Sequence, residues 1–156
     1  MRPNPAVPLI VGAAVLTLSA CSGGNSGSGD VSVFSVKPGQ CFQTPKDVKA
    51  ELAKLHKTPC TDAHTQEAYA VVRYVNSSGA TPSTYPGSDV LTTFAQGTCA
   101  QRYSGYVGVD YLDSTLYFTY LLPSARSWEQ DSDRNVICFV TTTGGTLKKS
   151  VKGSKQ

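Results

Sequence analysis

Five cysteines, at positions 21, 41, 60, 99 and 138, limit this 156-residue chain more than any other feature. What they can do depends on the redox compartment, because thiols stay reduced in a cytosol and pair into disulfides in an exported chain. The amino terminus supplies the address. From Ala6 to Leu18 the side chains are almost wholly apolar, interrupted only by Pro8, Gly12 and Thr17. That run falls short of the roughly 20 residues a helix needs to cross a bilayer core. With Arg2 ahead of it and small residues behind, residues 1–20 have the three-part layout of a secretory signal.

The end of this segment, Leu18-Ser19-Ala20-Cys21, resembles the lipobox of bacterial lipoproteins. The resemblance implies a diacylglyceryl group on the Cys21 thiol, cleavage after Ala20, and a freed amine open to a further acyl chain such as palmitate. The alternative is an ordinary signal peptide with a free Cys21. Two or three acyl chains meet the requirement for stable anchoring, since each buried methylene contributes about 0.8 kcal/mol. The expectation is a protein on the outer face of the cytoplasmic membrane, with that membrane as its partner through Cys21. Ser22 to Gly29 carry no apolar side chain, so residues 21–30 read as a lipidated Gly/Ser tether. Eight such residues have a root-mean-square reach of roughly 15 Å.

Beyond the tether one folded domain is expected, over residues 31–147. One of the 14 basic side chains, Arg2, leaves with the signal, so the formal charge falls from +3 to about +2. So small an excess argues against nucleic acid as a partner. Much of it is local, because Lys148, Lys149, Lys152 and Lys155 crowd the final residues. Residues 148–156 are read as a solvated, flexible basic tail, with contact to anionic lipid or wall polymer as the alternative.

With Cys21 set aside, Cys41, Cys60, Cys99 and Cys138 are an even number, which reads as two disulfides with three possible pairings. The simplest, Cys41–Cys60 and Cys99–Cys138, closes loops of about 20 and 40 residues, each contributing roughly 3–4 kcal/mol in the chain-entropy model. Zinc competes as a reading. It lacks a Cys-x-x-Cys pair, however, and His56 and His64 are not at finger spacing. No metal and no cofactor are expected.

Val31 to Val36 alternate with period two and predict a half-buried strand, closed by the Lys37 to Gln40 turn. Lys46 to Lys57 place Val48, Leu52 and Leu55 at helical spacing, predicting a short helix opened by Thr44 or Asp47, with an extended Leu52–Lys57 as the alternative. Glu67 to Val75, dense in β-branched and aromatic residues, predict a central strand. Asn76 to Gly87 read as a loop. Ser88 or Asp89 then opens the main helix, with Val90, Leu91, Phe94, Ala95, Cys99 and Tyr103 on its buried stripe and unwinding expected from Tyr103 to Gly108. Leu116 to Leu122 and Asn135 to Thr141 predict two further strands, and Thr146 to Val151 a short edge strand. The fold class is α+β: a mostly antiparallel sheet, one main helix packed on it, and two disulfides.

In order, the chain carries Gly39-Gln40-Cys41-Phe42, Pro59-Cys60 with His64 and Glu67, Tyr85-Pro86-Gly87 before a Cys-bearing helix, and Pro123 to Trp128 followed by Arg134 and Cys138. This series resembles the septum-formation domain family of actinobacterial envelope proteins. The resemblance covers Val36 to Leu147 and implies an extracytoplasmic location, cysteines paired in sequence order, and no established enzymatic activity. The chain departs from the family pattern at Asp131-Ser132-Asp133 and in the lysine-rich stretch between Cys41 and Cys60.

His64 with Glu67 is the best acid–base pair an enzyme could use, with Asp62 nearby. The second histidine of a zinc-protease helix is missing, as are Gly-x-Ser-x-Gly and Ser-x-x-Lys motifs. The structural reading has His64 and Glu67 satisfying backbone or arginine partners. Arg134 is read as paired with Asp133, and Trp128 as a core plug or a stacking platform. His64, Glu67, Trp128 and Arg134 are thus the candidate binding residues. Three functions compete: a non-catalytic binding or scaffolding module for cell-envelope or division proteins, a peptidoglycan-modifying hydrolase using His64 and Glu67, and a carrier of a small ligand or lipid. The first is preferred.

Overall fold

The computed structural model describes residues 27–46 and 51–156; Cys21, its signal segment and most of the tether lie outside them. Six strands form one sheet in the order β1-β3-β2-β4-β6-β5. They are β1 (Gly29–Ser32), β2 (Cys41–Gln43), β3 (Lys54–Thr58), β4 (Gln66–Arg73), β5 (Tyr117–Leu121) and β6 (Asn135–Thr141). Every pairing is antiparallel. One long helix, α1 (Ser88–Val107), crosses one face, and a short α2 (Ala125–Gln130) joins β5 to β6. The fold is therefore α+β, as the alternation of patterns predicts.

Strand β6 runs over the residues expected of it. Its period-two alternation sends Val136, Cys138 and Val140 to the helix face and Ile137 and Phe139 to the other. Its neighbour β4 breaks that alternation once. Glu67 opposes Val140 and Ala68 opposes Phe139, but Ala70, not Tyr69, opposes Cys138. Tyr69 is the bulged residue. It therefore joins Ala70 on the helix face, where its hydroxyl donates to the Cys99 carbonyl at 2.8 Å.

Helix α1 buries Leu91, Ala95, Cys99, Tyr103 and Val107, a stripe repeating every four residues. The helix does not unwind at Tyr103, because that side chain is wholly buried and edges against Tyr69 and Tyr111. It stops at Gly108, whose φ of 92° ends the helix in the left-handed region. Its N-cap is Gly87, with no side-chain cap from Ser88 or Asp89, and Val90 is exposed instead of joining the stripe. Disulfide Cys99–Cys138 ties α1 to β6, and Cys41–Cys60 ties β2 to the turn after β3. The pairing is in sequence order.

Three further expectations need correction. The described part of the 46–57 segment is not helical: Glu51 to Ala53 are irregular and Lys54–Thr58 is β3, while Asp47 to Ala50 lie outside the described residues. Helix propensity of Ala, Leu and Lys amounts to a few tenths of a kcal/mol per residue. Pairing on both sides, with β1 and β2, overrides it and buries Leu55 in the second core. The Val31–Val36 strand is shifted. β1 begins at Gly29, inside the expected tether, and Ser32 caps a 3-10 turn over Val33–Ser35.

Residues 148–156 are not a free tail. Leu147 bridges His64, Val151 is part of the helix-side core, and Gly153 and Lys155 donate backbone hydrogen bonds to Tyr106 and Val107. The four lysines stay exposed while the backbone between them docks.

Candidate functional site

On the face opposite α1 the second core is left incomplete. Val33 and Val36 from the turn after β1, Val71 of β4, Leu121 of β5 and Ile137 of β6 form the floor of a cavity of about 90 Å³. Phe34, about half exposed, stands at its edge.

The polar wall is built by α2. Pro123 ends β5, and Ser124 and Ser127 then cap one another: the Ser124 hydroxyl accepts from the Ser127 amide at 2.9 Å and the Ser127 hydroxyl from the Ser124 amide at 3.0 Å. This reciprocal cap starts a helix of only six residues and aims its side chains apart. Trp128 goes inward and Arg126 outward. The Arg126 guanidinium donates to Glu51 Oε2 and the Ser124 hydroxyl to Glu51 Oε1, closing one side of the cavity. The Ser124 hydroxyl first, then Arg126, hold the Glu51 carboxyl below the usual glutamate range, and Glu51 raises the Arg126 guanidinium in return.

Asp133 lies on the same wall. Its carboxylate accepts from the Asn135 amide at 3.1 Å and the Ser127 hydroxyl at 3.3 Å. Burial nevertheless pushes its pKa up, more than those hydrogen bonds pull it down. With Glu51 paired to Arg126, Asp131 and Asp133 leave this wall net acidic beside an apolar floor.

The candidates singled out from sequence lie elsewhere. Trp128 is wholly buried against Tyr74 and Tyr85, and its indole donates to the Ser83 carbonyl at 2.8 Å. Arg134 stacks on it at 3.9 Å, so the ring serves as a core plug with no face open for a ligand. The Arg134 guanidinium donates to the carbonyls of Trp128, Asp133 and Ser83, in place of the expected pairing with the Asp133 carboxylate.

His64 and Glu67 are brought together, both fully buried, on the helix face of the sheet. Glu67 accepts from the Tyr106 hydroxyl at 2.5 Å, the Ser150 hydroxyl at 2.6 Å and the Val151 amide at 2.8 Å. Its partners are thus the carboxy-terminal segment and α1 in place of the expected arginine. The cavity wall had no signal of its own along the chain, because Glu51 and Arg126 are 75 residues apart. Only Ser124 and Ser127, three apart after a proline, carried a local mark of α2.

One main helix on a six-stranded antiparallel sheet, stapled by two disulfides, with a cavity of apolar floor and polar wall on the face that helix leaves uncovered, defines the class of this domain. The family model for septum formation matches residues 30–155, and the chain belongs to that family. No match was found among curated proteins or among solved structures.

Proposed function

We propose that the chain is a non-catalytic binding module, held on the outer face of the cytoplasmic membrane by lipid on Cys21 and engaging a cell-envelope or division protein during septation. The cavity volume carries this reading. Ligand pockets enclose about 300–1,000 Å³, whereas this one encloses about 90 Å³. It has room for one aliphatic side chain of a partner and not for a lipid or a free ligand. The acidic wall beside it favours a partner whose apolar anchor is followed by a positive charge. The hydrolase alternative finds less support, since His64 and Glu67 are sealed from solvent and Glu67 is engaged by three donors.

The test is proximity crosslinking from the anchored protein in dividing cells, comparing wild type with Val71→Trp, which fills the cavity. Division or wall-synthesis proteins should be captured by the wild type and lost from a folded Val71→Trp. Recovery of none, or equal recovery from both, defeats the proposal. Peptidoglycan cleavage that disappears in His64→Ala would favour the hydrolase instead.

A further inference from the structure

On the helix face, the start of β2, the turn after β3 and the approach to β4 converge. Cys41 and Glu67 are direct cross-strand partners, and His64 is fixed three residues before Glu67 by two backbone hydrogen bonds with Leu147. Cys41, His64 and Glu67 are all fully buried, and one ligating atom from each lies within 4.8 Å of the other two.

The imidazole is oriented for a ligand. Its Nδ1 lies 2.8 Å from the Asp62 carbonyl, which can only accept, so Nδ1 carries the proton and Nε2 presents a lone pair. Buried Nε2 has no hydrogen-bond partner among the described residues. One nitrogen pinned by a carbonyl and the other bare is the arrangement of metal-ligating histidines. On Glu67, Oε1 takes both hydroxyls whereas Oε2 takes only the Val151 amide, leaving an acceptor direction on Oε2.

Sulfur completes the set. Cys41 is bonded to Cys60, and both line an open groove of about 440 Å³ between Lys37 and Thr61 that admits a small reductant. Cys60 is half-buried, so a reductant reaches this bond from the Cys60 side, whereas both partners of Cys99–Cys138 are wholly buried between α1 and the sheet.

We infer that reduction of Cys41–Cys60 converts this cluster into a zinc site, with the two thiolates, His64 Nε2 and Glu67 Oε2 as tetrahedral ligands. A dithiol reductant supplies two electrons and two protons. The Cys41–Cys60 bond breaks, the reductant leaves as its own disulfide, and zinc displaces the two protons from the new thiols. Zinc bonds of about 2.0–2.3 Å place tetrahedral ligands about 3.3–3.8 Å apart. The Cys41, His64 and Glu67 atoms must therefore close by up to about an ångström, and the Cys60 sulfur, which lies outside that group, must swing in once its bond to Cys41 is broken. Zinc then takes over the cross-link between β2 and the turn after β3, holding the chain folded before oxidation or after its reversal.

The test uses the full chain carrying Cys21→Ser, purified in detergent, so that no further thiol competes. Zinc chloride is titrated against a chromophoric chelator before and after phosphine reduction, and alkylation mapping verifies that Cys99–Cys138 stays closed. The reduced protein should bind one zinc with release of about two protons, at least a hundredfold more tightly than the oxidised protein. His64→Ala should weaken binding at least tenfold. Cys60→Ser, which leaves Cys41 free without any reductant, should still bind zinc, and cobalt in its place should give tetrahedral absorption bands. Equal binding by oxidised and reduced protein, undiminished affinity in His64→Ala, no binding by Cys60→Ser, or a reduced chain that unfolds with zinc present would each overturn the assignment.

Discussion

Glu67 shows how a buried acid becomes an architectural residue. A carboxylate with no solvent is costly unless its lone pairs are met, and here Tyr106, Ser150 and Val151 meet three of them. Replacing Glu67 by Gln turns one oxygen into a donor facing donors. Urea denaturation should show a loss of about 1–3 kcal/mol, the usual cost of a buried polar group left unsatisfied. Trp128 is the apolar counterpart; Trp128→Ala should cost about 3–5 kcal/mol, as large core truncations do, with Arg134 losing its stacking surface. The cavity acids respond to pH with opposite signs. Burial raises Asp133 in the folded chain, so its contribution is full below the ordinary aspartate value of about 3.9 and is lost as pH rises through the raised value. Glu51 is lowered, so its contribution is present above about 4.3 and is lost as pH falls through the lowered value. Relative to wild type, Asp133→Asn should therefore shift the urea midpoint in favour of pH 7 over pH 4. An unchanged difference between the two pH values would contradict this assignment.

Among the elements, α1 and β6 are joined twice, by apolar packing and by Cys99–Cys138. That bridge spans 39 residues and Cys41–Cys60 spans 19. Loop-closure entropy makes them worth roughly 4 and 3 kcal/mol respectively. The double replacement of Cys99 and Cys138 by Ala should accordingly lower the denaturation midpoint more than that of Cys41 and Cys60, as measured by circular dichroism in urea. Elements differ in how readable they were for a physical reason. α1 carries its own period because one face is buried along its whole length, and β6 is a continuous apolar run because both of its faces are buried. β3 carries a weak helical pattern and becomes a strand only because β1 and β2 flank it. The bulge at Tyr69 left no mark in the sequence, since it exists only in the register of β4 against β6.

At the scale of the whole molecule, the carboxy-terminal segment closes the helix-side core. Truncation after Lys149 removes Ser150 and Val151, two of the three partners of Glu67. The truncated chain should unfold at lower urea, and Glu67→Gln should cost less in it than in the full chain, a coupling that a double-mutant cycle measures. Among the described residues no helix is long and apolar enough to cross a membrane. Hydrophobic period, turn residues and cysteine parity are relations between near neighbours, so by itself the sequence determined the α+β class, the main helix and the central strands. The cysteine pairing was legible in the order of the family landmarks. Which charges meet depends on the strand order β1-β3-β2-β4-β6-β5 and on the face each side chain reaches. Only the tertiary structure could therefore place Glu51 against Arg126 beside the cavity, Trp128 beneath Arg134, and Ser150 and Val151 on Glu67.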